Sequence, residues 1–316
     1  MTAIHDVSPT GGRREALLGW TRALPKVERS ARTQPPNTVV LVYSWVLTML
    51  AIVLGALILN VTLVSQFQHS NAQHKLYDEL RVSLAEGSTP IGQLDVNGHV
   101  VKAGTPVALL KIPELGIKEV VVDGTASRQT KTGVGHEPDT RMPGQAGQSV
   151  LMGRAAAYGG VFKHLDRLKK GDEFTVLTGQ GESTYRVIGP RVGTAQLPAL
   201  TGSASRLTLM TATGAPFFPH KVLQVDAALV SPVYATPPVS YAQGVIDDAQ
   251  KPLGKDPSRL FSLSWLLELL VLLVAGAIWA RHRWSHQATW IVFAPVLAAT
   301  GFAVADRVCD LLPNLM

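Results

Sequence analysis

The chain has almost no cysteine. Cys309 is the only one among 316 residues, so an intramolecular disulfide, a Cys-ligated zinc site and a CxxC redox pair are all excluded. The nine histidines are scattered, and no HxxxH pair occurs within residues 105–230 to suggest a zinc centre. Gly179-Gln180-Gly181 is typical of a hairpin turn and not of a phosphate-binding loop, because no helix follows it. The sequence therefore predicts neither a metal nor a cofactor.

Charged side chains are also scarce. They make up 16% of the residues, against 46% apolar residues, and the formal net charge is +6. Much of the basic excess lies in the N-terminal tail and beside long apolar runs, where a lipid bilayer is a simpler partner than nucleic acid. We expect a membrane protein that does not bind nucleic acid.

Three apolar runs are long enough to cross a bilayer, which takes about 20 residues. The first run, Val39–Val64, contains no charged residue. It is too long for a signal peptide, and no clear cleavage site follows it. Basic residues precede it and also follow the second run, so the positive-inside rule places the N-terminus and the loop between the last two runs in the cytoplasm. The predicted segments are a basic tail (1–37), transmembrane helices at 38–66, 260–280 and 288–306, and a cytoplasmic loop (281–287).

The residues between the first two spans are then outside the plasma membrane. The pattern predicts a juxtamembrane helix over Gln66–Glu86, with leucines at helical spacing, within a helix-and-linker segment at 67–104. A proline-rich linker is expected at 231–259. The folded domain between them covers 105–230.

The folded domain has short β-like runs separated by glycine and proline turns, which predicts an all-β barrel or sandwich. One or two helical turns are expected around Phe162–Leu168. The predicted strands are Val107–Ile112, Glu119–Asp123, Ser149–Met152, Glu173–Thr178, Ser183–Ile188, Arg206–Thr211 and Lys221–Val230.

Five motifs in the same order, with almost no gaps, resemble the sortases, and among them the class E type of actinobacteria. Sortases are surface-protein transpeptidases, and the resemblance implies an eight-stranded β-barrel, here with three flanking transmembrane helices. It also implies a sorting-signal peptide as ligand. The motifs begin at Leu110 (LKIPELGI), Val120 (VVVDG), Gly133 (GVGHEPDT), Pro143 (PGQAG) and Phe162 (FKHLDRLKKGD).

Sortases use a cysteine thiolate, a histidine and an arginine, and the resemblance places other residues at all three positions. Arg154 stands at the histidine position and Ala212 at the cysteine position; Lys221, or His220 in a shifted alignment, stands at the arginine position. Arginine stays protonated and cannot exchange a proton as an acid and base, and alanine has no nucleophilic atom. We therefore predict a catalytically inactive relative, a pseudo-sortase.

No other residue clearly replaces the missing groups. Thr211 and Thr213 flank Ala212 and are expected to be strand and turn residues, because a threonine nucleophile needs an adjacent base. His136 is expected to fix its loop, and His164 with Asp166 to be solvated surface groups. Cys309 is expected in or near the bilayer, far from the barrel. The candidate binding residues are Arg154, Lys221, His136, Tyr158, Thr211, Thr213 and His220.

Three functional hypotheses follow. In the first, Arg154 and Lys221 present two cations in a groove that binds an anionic peptide or a cell-surface protein, so that the domain is a binding or scaffold component. In the second, the domain is still a transpeptidase or hydrolase with non-standard residues. In the third, the transmembrane helices are the working part of a membrane-protein complex, and the intramembrane Glu268 marks the interface.

Overall fold

A computed structural model describes residues 54–193, 199–215, 218–239 and 246–316, together with Val40, Tyr43, Leu47 and Ala51. Eight strands close into a barrel in the order β1-β2-β3-β4-β7-β8-β6-β5. This confirms the predicted eight-stranded β-barrel. The strands are β1 (Pro106–Ile112), β2 (Ile117–Asp123), β3 (Val134–His136), β4 (Gly147–Met152), β5 (Glu173–Thr178), β6 (Gly181–Val192), β7 (Ser205–Ala215) and β8 (Phe218–Leu229).

Two strand pairs are parallel, and all the others are antiparallel. β2 runs parallel to β3, and β4 runs parallel to β7. A parallel pair brings the carboxyl ends of two strands to one edge of the barrel, which is where the candidate site lies. Strand β3 has only three residues, too few for the alternating pattern of a strand to be recognised in the sequence.

The barrel interior is filled by apolar side chains that alternate with outward residues along each strand. Along β5, for example, Phe174 and Val176 are buried, and the ring of Phe174 stacks on that of Tyr185 with centroids 5.7 Å apart. Regular alternation of this kind is what made the strands predictable. The 3-10 turn Leu165–Arg167 lies where helical turns were expected.

Helix α1 (Ser65–Glu86) matches the expected juxtamembrane helix. Residues 54–59 are helical and continue through a π-helical turn, Asn60–Val64, into α1. The helix ends at Gly87, whose φ of 69° is left-handed and suits glycine. Leu80 packs against Leu109 and Val120, so α1 lies against the outside of the barrel.

A second, short helix was not predicted. Helix α2 (Ser127–Thr132) connects β2 to β3. It is only six residues long and carries no leucine, isoleucine or valine, so the sequence offers no apolar periodicity to reveal it. Its position matters because three of its side chains, Ser127, Thr130 and Lys131, reach the candidate site.

Two helices in the described part of the chain are long and apolar enough to cross a membrane, where three were expected. They are α3 (Leu260–Arg283) and α4 (His286–Asp310), each a few residues longer than predicted. Of the first expected span, 38–66, residues 54–66 are described and helical, whereas most of 38–53 lies outside the described residues. After α4, residues 311–316 run back to the barrel and end beside β4 and β7.

Candidate functional site

The site lies where the parallel strands β4 and β7 end side by side. Met152 of β4 pairs with Met210 of β7, and the amide of Gly153 donates a 3.0 Å hydrogen bond to the Met210 carbonyl. The next residues are Arg154 after β4 and Ala212 on β7. Two positions that are far apart in the sequence therefore meet at one edge of the barrel.

The Arg154 side chain is fully enclosed by the protein. It is 1% exposed, and its guanidinium nitrogens donate hydrogen bonds to Ser127, Thr130 and Met316. The Nη2 atom is 2.7 Å from Ser127 Oγ and 3.1 Å from the Ser127 carbonyl oxygen, and the guanidinium lies 5.1 Å from the Tyr158 ring centroid. Three protein partners and an aromatic face replace the water that the buried cation has lost.

Burial lowers the pKa of Arg154 to about 10, with Tyr158, Cys309 and Asp310 acting in the opposite direction. The guanidinium is therefore still charged near neutral pH. It has no free donor aimed at solvent that would serve a catalytic proton transfer.

Residues 311–316 form the other wall of the site. The amide of Ala155 donates a 3.0 Å hydrogen bond to the Leu315 carbonyl, and Arg154 Nη1 lies 3.2 Å from the Met316 oxygen. The Leu315 side chain is completely buried in an apolar cluster with Val150, Met152, Met210 and Ala212. A leucine from the C-terminal segment thus occupies the space beside Ala212.

The C-terminal end of α4 is joined to the barrel by a charged network. Lys131 of α2 lies 2.7 Å from an oxygen of Asp306 and 2.8 Å from one of Asp310, and its ammonium is 4.9 Å from the Tyr158 ring centroid. The Tyr158 hydroxyl donates to Asp306 at 3.2 Å, and burial raises the pKa of Tyr158. Lys131 and Tyr158 on the barrel side and Asp306 and Asp310 on α4, all partly or fully buried, therefore hold this contact.

Cys309 lies in the same contact, which corrects the sequence-based expectation that it is far from the barrel. Its side chain is 0% exposed and packs with Ala157 and Tyr158, directly after the Arg154 position. The expectation was wrong because the end of α4 packs against the barrel, and no local sequence pattern predicts this contact. Burial under apolar side chains typically leaves a thiol inert.

A cleft of about 440 Å³ remains open beside the filled part of the site. It is lined by Thr211, Ala212 and Thr213 of β7 and by Lys163, His164 and Asp166 of the loop after β4. His164 and Asp166 are exposed, as expected for solvated groups. Their place in one cleft with Ala212 was not predicted, because it depends on how the loop after β4 folds back.

The remaining candidate residues lie in different environments. The Thr211 hydroxyl is buried and donates to the Gly153 carbonyl at 2.9 Å. His136 is buried within its loop, with Nε2 3.0 Å from the Arg141 carbonyl and Nδ1 3.5 Å from a carboxylate oxygen of Asp123. Thr213 lines the cleft, Tyr158 is buried under Arg154 and Lys131, and His220 and Lys221 are exposed on β8.

The structure does not bring Arg154 and Lys221 together as two solvent-facing cations. Lys221 is exposed on β8, opposite Thr213, while Arg154 is buried and bonded to the chain itself. The expected pair of cations assumed that both side chains are free to meet a ligand. In this conformation residues 311–316 occupy the place beside Arg154 that a ligand would take.

Residues 110–225 match a family model described as the sortase domain. Sortase D of Bacillus subtilis (strain 168) is 32% identical over 91 residues, which cover 29% of this chain and 44% of that protein. The chain thus spans less than half the length of this curated relative.

Solved structures of sortases are also similar to the chain. A Clostridium perfringens Sortase D5 transpeptidase shares 20% identity over 51% of this chain and 99% of its own, with a TM-score of 0.43. Sortase C-1 from Actinomyces oris shares 25% identity over 49% of this chain and 99% of its own, with a TM-score of 0.37. The family resemblance is confirmed, whereas the class E assignment stays a prediction.

Proposed function

We propose that this chain, whose residues 110–225 are a sortase-family domain, is a membrane-anchored pseudo-sortase that binds an extended peptide of a cell-surface protein without cleaving it. The barrel is then extracytoplasmic and the N-terminus cytoplasmic. Helices α3 and α4 suit such an anchor, because each is long enough to span a bilayer. The proposal treats the domain as a binding or scaffold component at the plasma membrane.

The observation that carries the proposal is that Arg154 and Ala212 each lie two residues beyond the last pair of the parallel β4–β7 ladder, Met152 with Met210. The methyl group of Ala212 cannot attack a carbonyl, and the Arg154 guanidinium keeps its proton at neutral pH. Thr211, the buried hydroxyl next to Ala212, is occupied by its bond to the Gly153 carbonyl. Cys309 is enclosed between α4 and the barrel.

The open cleft beside Ala212 supports the binding role. It offers an ammonium from Lys163, an imidazole from His164 and a carboxylate from Asp166 around an apolar floor that includes Ala212 and Leu223. A few polar groups around an apolar floor are typical of peptide and small-ligand sites. We expect a peptide with an apolar residue and a nearby acidic group to fit best.

The test uses the full chain in lipid nanodiscs with a pool of labelled extended peptides and a glycine-based amine acceptor. We expect peptide binding by fluorescence anisotropy, no cleaved or transferred product, and no increase in the intact mass of the protein. Thr213→Trp should fill the cleft and abolish binding, whereas Thr175→Trp, a half-buried threonine on β5 away from the cleft, should not. A covalent peptide adduct would refute inactivity, and binding unaffected by Thr213→Trp would refute the cleft.

A catalytic function with non-standard residues is the second candidate, and one observation favours it. Thr213, His164 and Asp166 line the same cleft, so a hydroxyl, an imidazole and a carboxylate share one space. This candidate requires turnover that disappears in both Thr213→Ala and His164→Ala. The same product assay therefore separates it from the pseudo-sortase.

A role in membrane-protein assembly is the third candidate. Glu268 lies near the middle of α3 and is exposed on the helix surface, where an uncompensated carboxyl is costly in lipid. A neighbouring membrane helix with a hydrogen-bond donor would remove that cost. Crosslinking from position 268 in native membranes, with loss of a specific product in Glu268→Leu, tests it.

A further inference from the structure

We propose that residues 311–316 are a ligand built into the chain, which occupies the groove around Arg154 and Ala212 and excludes an external peptide from it until displaced. We call Leu311–Met316 the C-terminal segment. The inference rests on the proposed function, because it names what controls access to the part of the peptide site that adjoins the open cleft. It adds a regulated state in which only the open cleft beyond Met316 is free.

The C-terminal segment is folded as a turn, and two backbone hydrogen bonds tie it to other parts of the chain. The Ala155 amide, just after β4, donates to the Leu315 carbonyl at 3.0 Å, and the Asn314 amide donates to the Gly254 carbonyl at 3.1 Å. Backbone hydrogen bonds and side-chain pockets also hold bound peptides. The segment, although folded as a turn, uses both kinds of contact.

The Leu315 side chain fills the apolar part of the groove. It is 0% exposed and shares one cluster with Val150, Met152, Met210 and Ala212. An alanine at 212 leaves room for this leucine. The residue that removes the family's nucleophile is therefore also part of the pocket that receives the segment.

Polar groups secure both sides of Leu315. The Asn314 Nδ2 atom lies 2.7 Å from the Thr125 carbonyl oxygen and 3.0 Å from that of Lys251, and the Asn314 carbonyl accepts from Thr130 Oγ1 at 2.7 Å. The Met316 oxygen accepts from Arg154. Because these donors and acceptors are buried and paired, an external peptide cannot use them while the segment is in place.

The segment follows helix α4 directly, so its local concentration at the groove is high. Short links give effective concentrations in the millimolar range. An external peptide of equal intrinsic affinity would have to reach about that concentration to compete. Release is also coupled to the contact between Lys131 and Asp310, the last residue of α4.

The first test asks whether the segment lies in the groove of the full chain in lipid nanodiscs. In a Cys309→Ser background, a cysteine pair made by Ala155→Cys and Leu315→Cys should form a disulfide on mild oxidation, because the two backbones are joined by a hydrogen bond. The matched control pairs Leu315→Cys with Thr175→Cys on β5, which should not crosslink. Absence of the 155–315 crosslink would overturn the proposal.

The second test asks whether the segment excludes a peptide. The probe is a fluorescent synthetic peptide with the sequence of residues 311–316, measured by anisotropy. Asn314→Ala weakens the segment and should bind the probe at least tenfold more tightly than the wild type; Asn97→Ala, in an exposed loop, should behave as the wild type. Equal binding by wild type and Asn314→Ala would overturn the proposal.

The crosslinked pair provides a comparison in which only one bond differs. The oxidised 155–315 protein should not bind the probe. Reduction should allow binding, because Leu315→Cys also removes the buried leucine that holds the segment, so a folding defect cannot explain the difference. Binding by the oxidised form would also overturn the proposal. Product formation in the transfer assay would refute the proposed inactivity only. The crosslinking and competition results test the C-terminal segment separately.

Discussion

Arg154 donates a hydrogen bond of 3.2 Å to the backbone oxygen of Met316, across 162 positions of the chain. Sortases are expected to place their histidine at this position, which must face the substrate. In this chain Arg154 holds the chain's own C-terminal segment. The predicted alignment therefore gives this position a different partner as well as a different chemistry.

Replacing Arg154 should destabilise the protein and loosen the C-terminal segment. Arg154→Ala leaves buried acceptors on Ser127, Thr130 and Met316 without donors, so we expect a loss of about 2–4 kcal/mol in the free energy of unfolding. Thermal melting in detergent measures this loss as a lower midpoint. Arg186→Ala breaks an exposed ion pair with Glu173 and should change stability by less than about 1 kcal/mol. Equal effects of the two substitutions would contradict the structural role of Arg154.

Lys131→Met should weaken the docking of α4 on the barrel. It leaves Asp310, whose side chain is 3% exposed, with Arg307 as its remaining charged partner at 3.4 Å. Removing one partner of a buried pair costs about 3–5 kcal/mol. Faster proteolytic cleavage between the barrel and α4 would report the weakened docking. The exposed pair Lys251–Asp248 supplies the control, since Lys251→Met should be cleaved at the wild-type rate.

The Cys309 thiol should report whether α4 is docked. In the wild type it is completely buried against Ala157 and Tyr158, so we expect labelling by a soluble maleimide to be slow. Lys131→Met and Asn314→Ala should each speed labelling at least tenfold, because they remove contacts that keep this interface closed. Mass spectrometry of timed samples measures the rate. Rapid labelling of the wild type would show that the interface is open.

Glu137 should make the barrel less stable as the pH rises. Burial, reinforced by the neighbouring Asp139, raises the pKa of Glu137 to about 7 from an ordinary value of 4.5. The stabilising contribution of the neutral carboxyl is therefore fully present below about pH 4.5 and is lost as the pH passes 7. With allowance for the partial solvent contact of this side chain, the loss is about 2 kcal/mol.

The variant Glu137→Gln, which cannot ionise, should remove this part of the pH dependence. Melting midpoints of both proteins between pH 5 and pH 8 measure it: the wild type should lose stability relative to the variant as the pH rises. Glu173→Gln, at an exposed position on β5, is the control and should follow the wild type. Parallel profiles for wild type and Glu137→Gln would exclude the predicted effect.

Prediction from the sequence worked where local patterns are strong. The strand Glu173–Thr178 was predicted with its exact bounds, because Phe174 and Val176 alternate with outward residues. Helix α1 followed from leucines at helical spacing and from Gly87 at its end. The strand β3 and the helix α2 were missed, since each is too short to show a period.

The candidate site was predictable only in part. Arg154 and Ala212 were predicted at the site from the family motifs, and the structure places each two residues beyond the last pair of the parallel β4–β7 ladder. Ser127, Thr130 and Asn314 were missed, because a serine, a threonine or an asparagine alone carries no signal of what it will contact. Cys309 was misplaced for the same reason.

The sequence by itself determined the resemblance of residues 110–225 to the sortase family, most of the strands and the absence of a thiol on β7, because these depend on residue type and on the spacing of near neighbours. Only the tertiary structure decided that the end of α4 and residues 311–316 close over Arg154. That arrangement depends on contacts such as Thr130 with Asn314, 184 positions apart. Contacts over such distances leave no periodic trace in one sequence, because they are selected by packing once the barrel and the helices have formed.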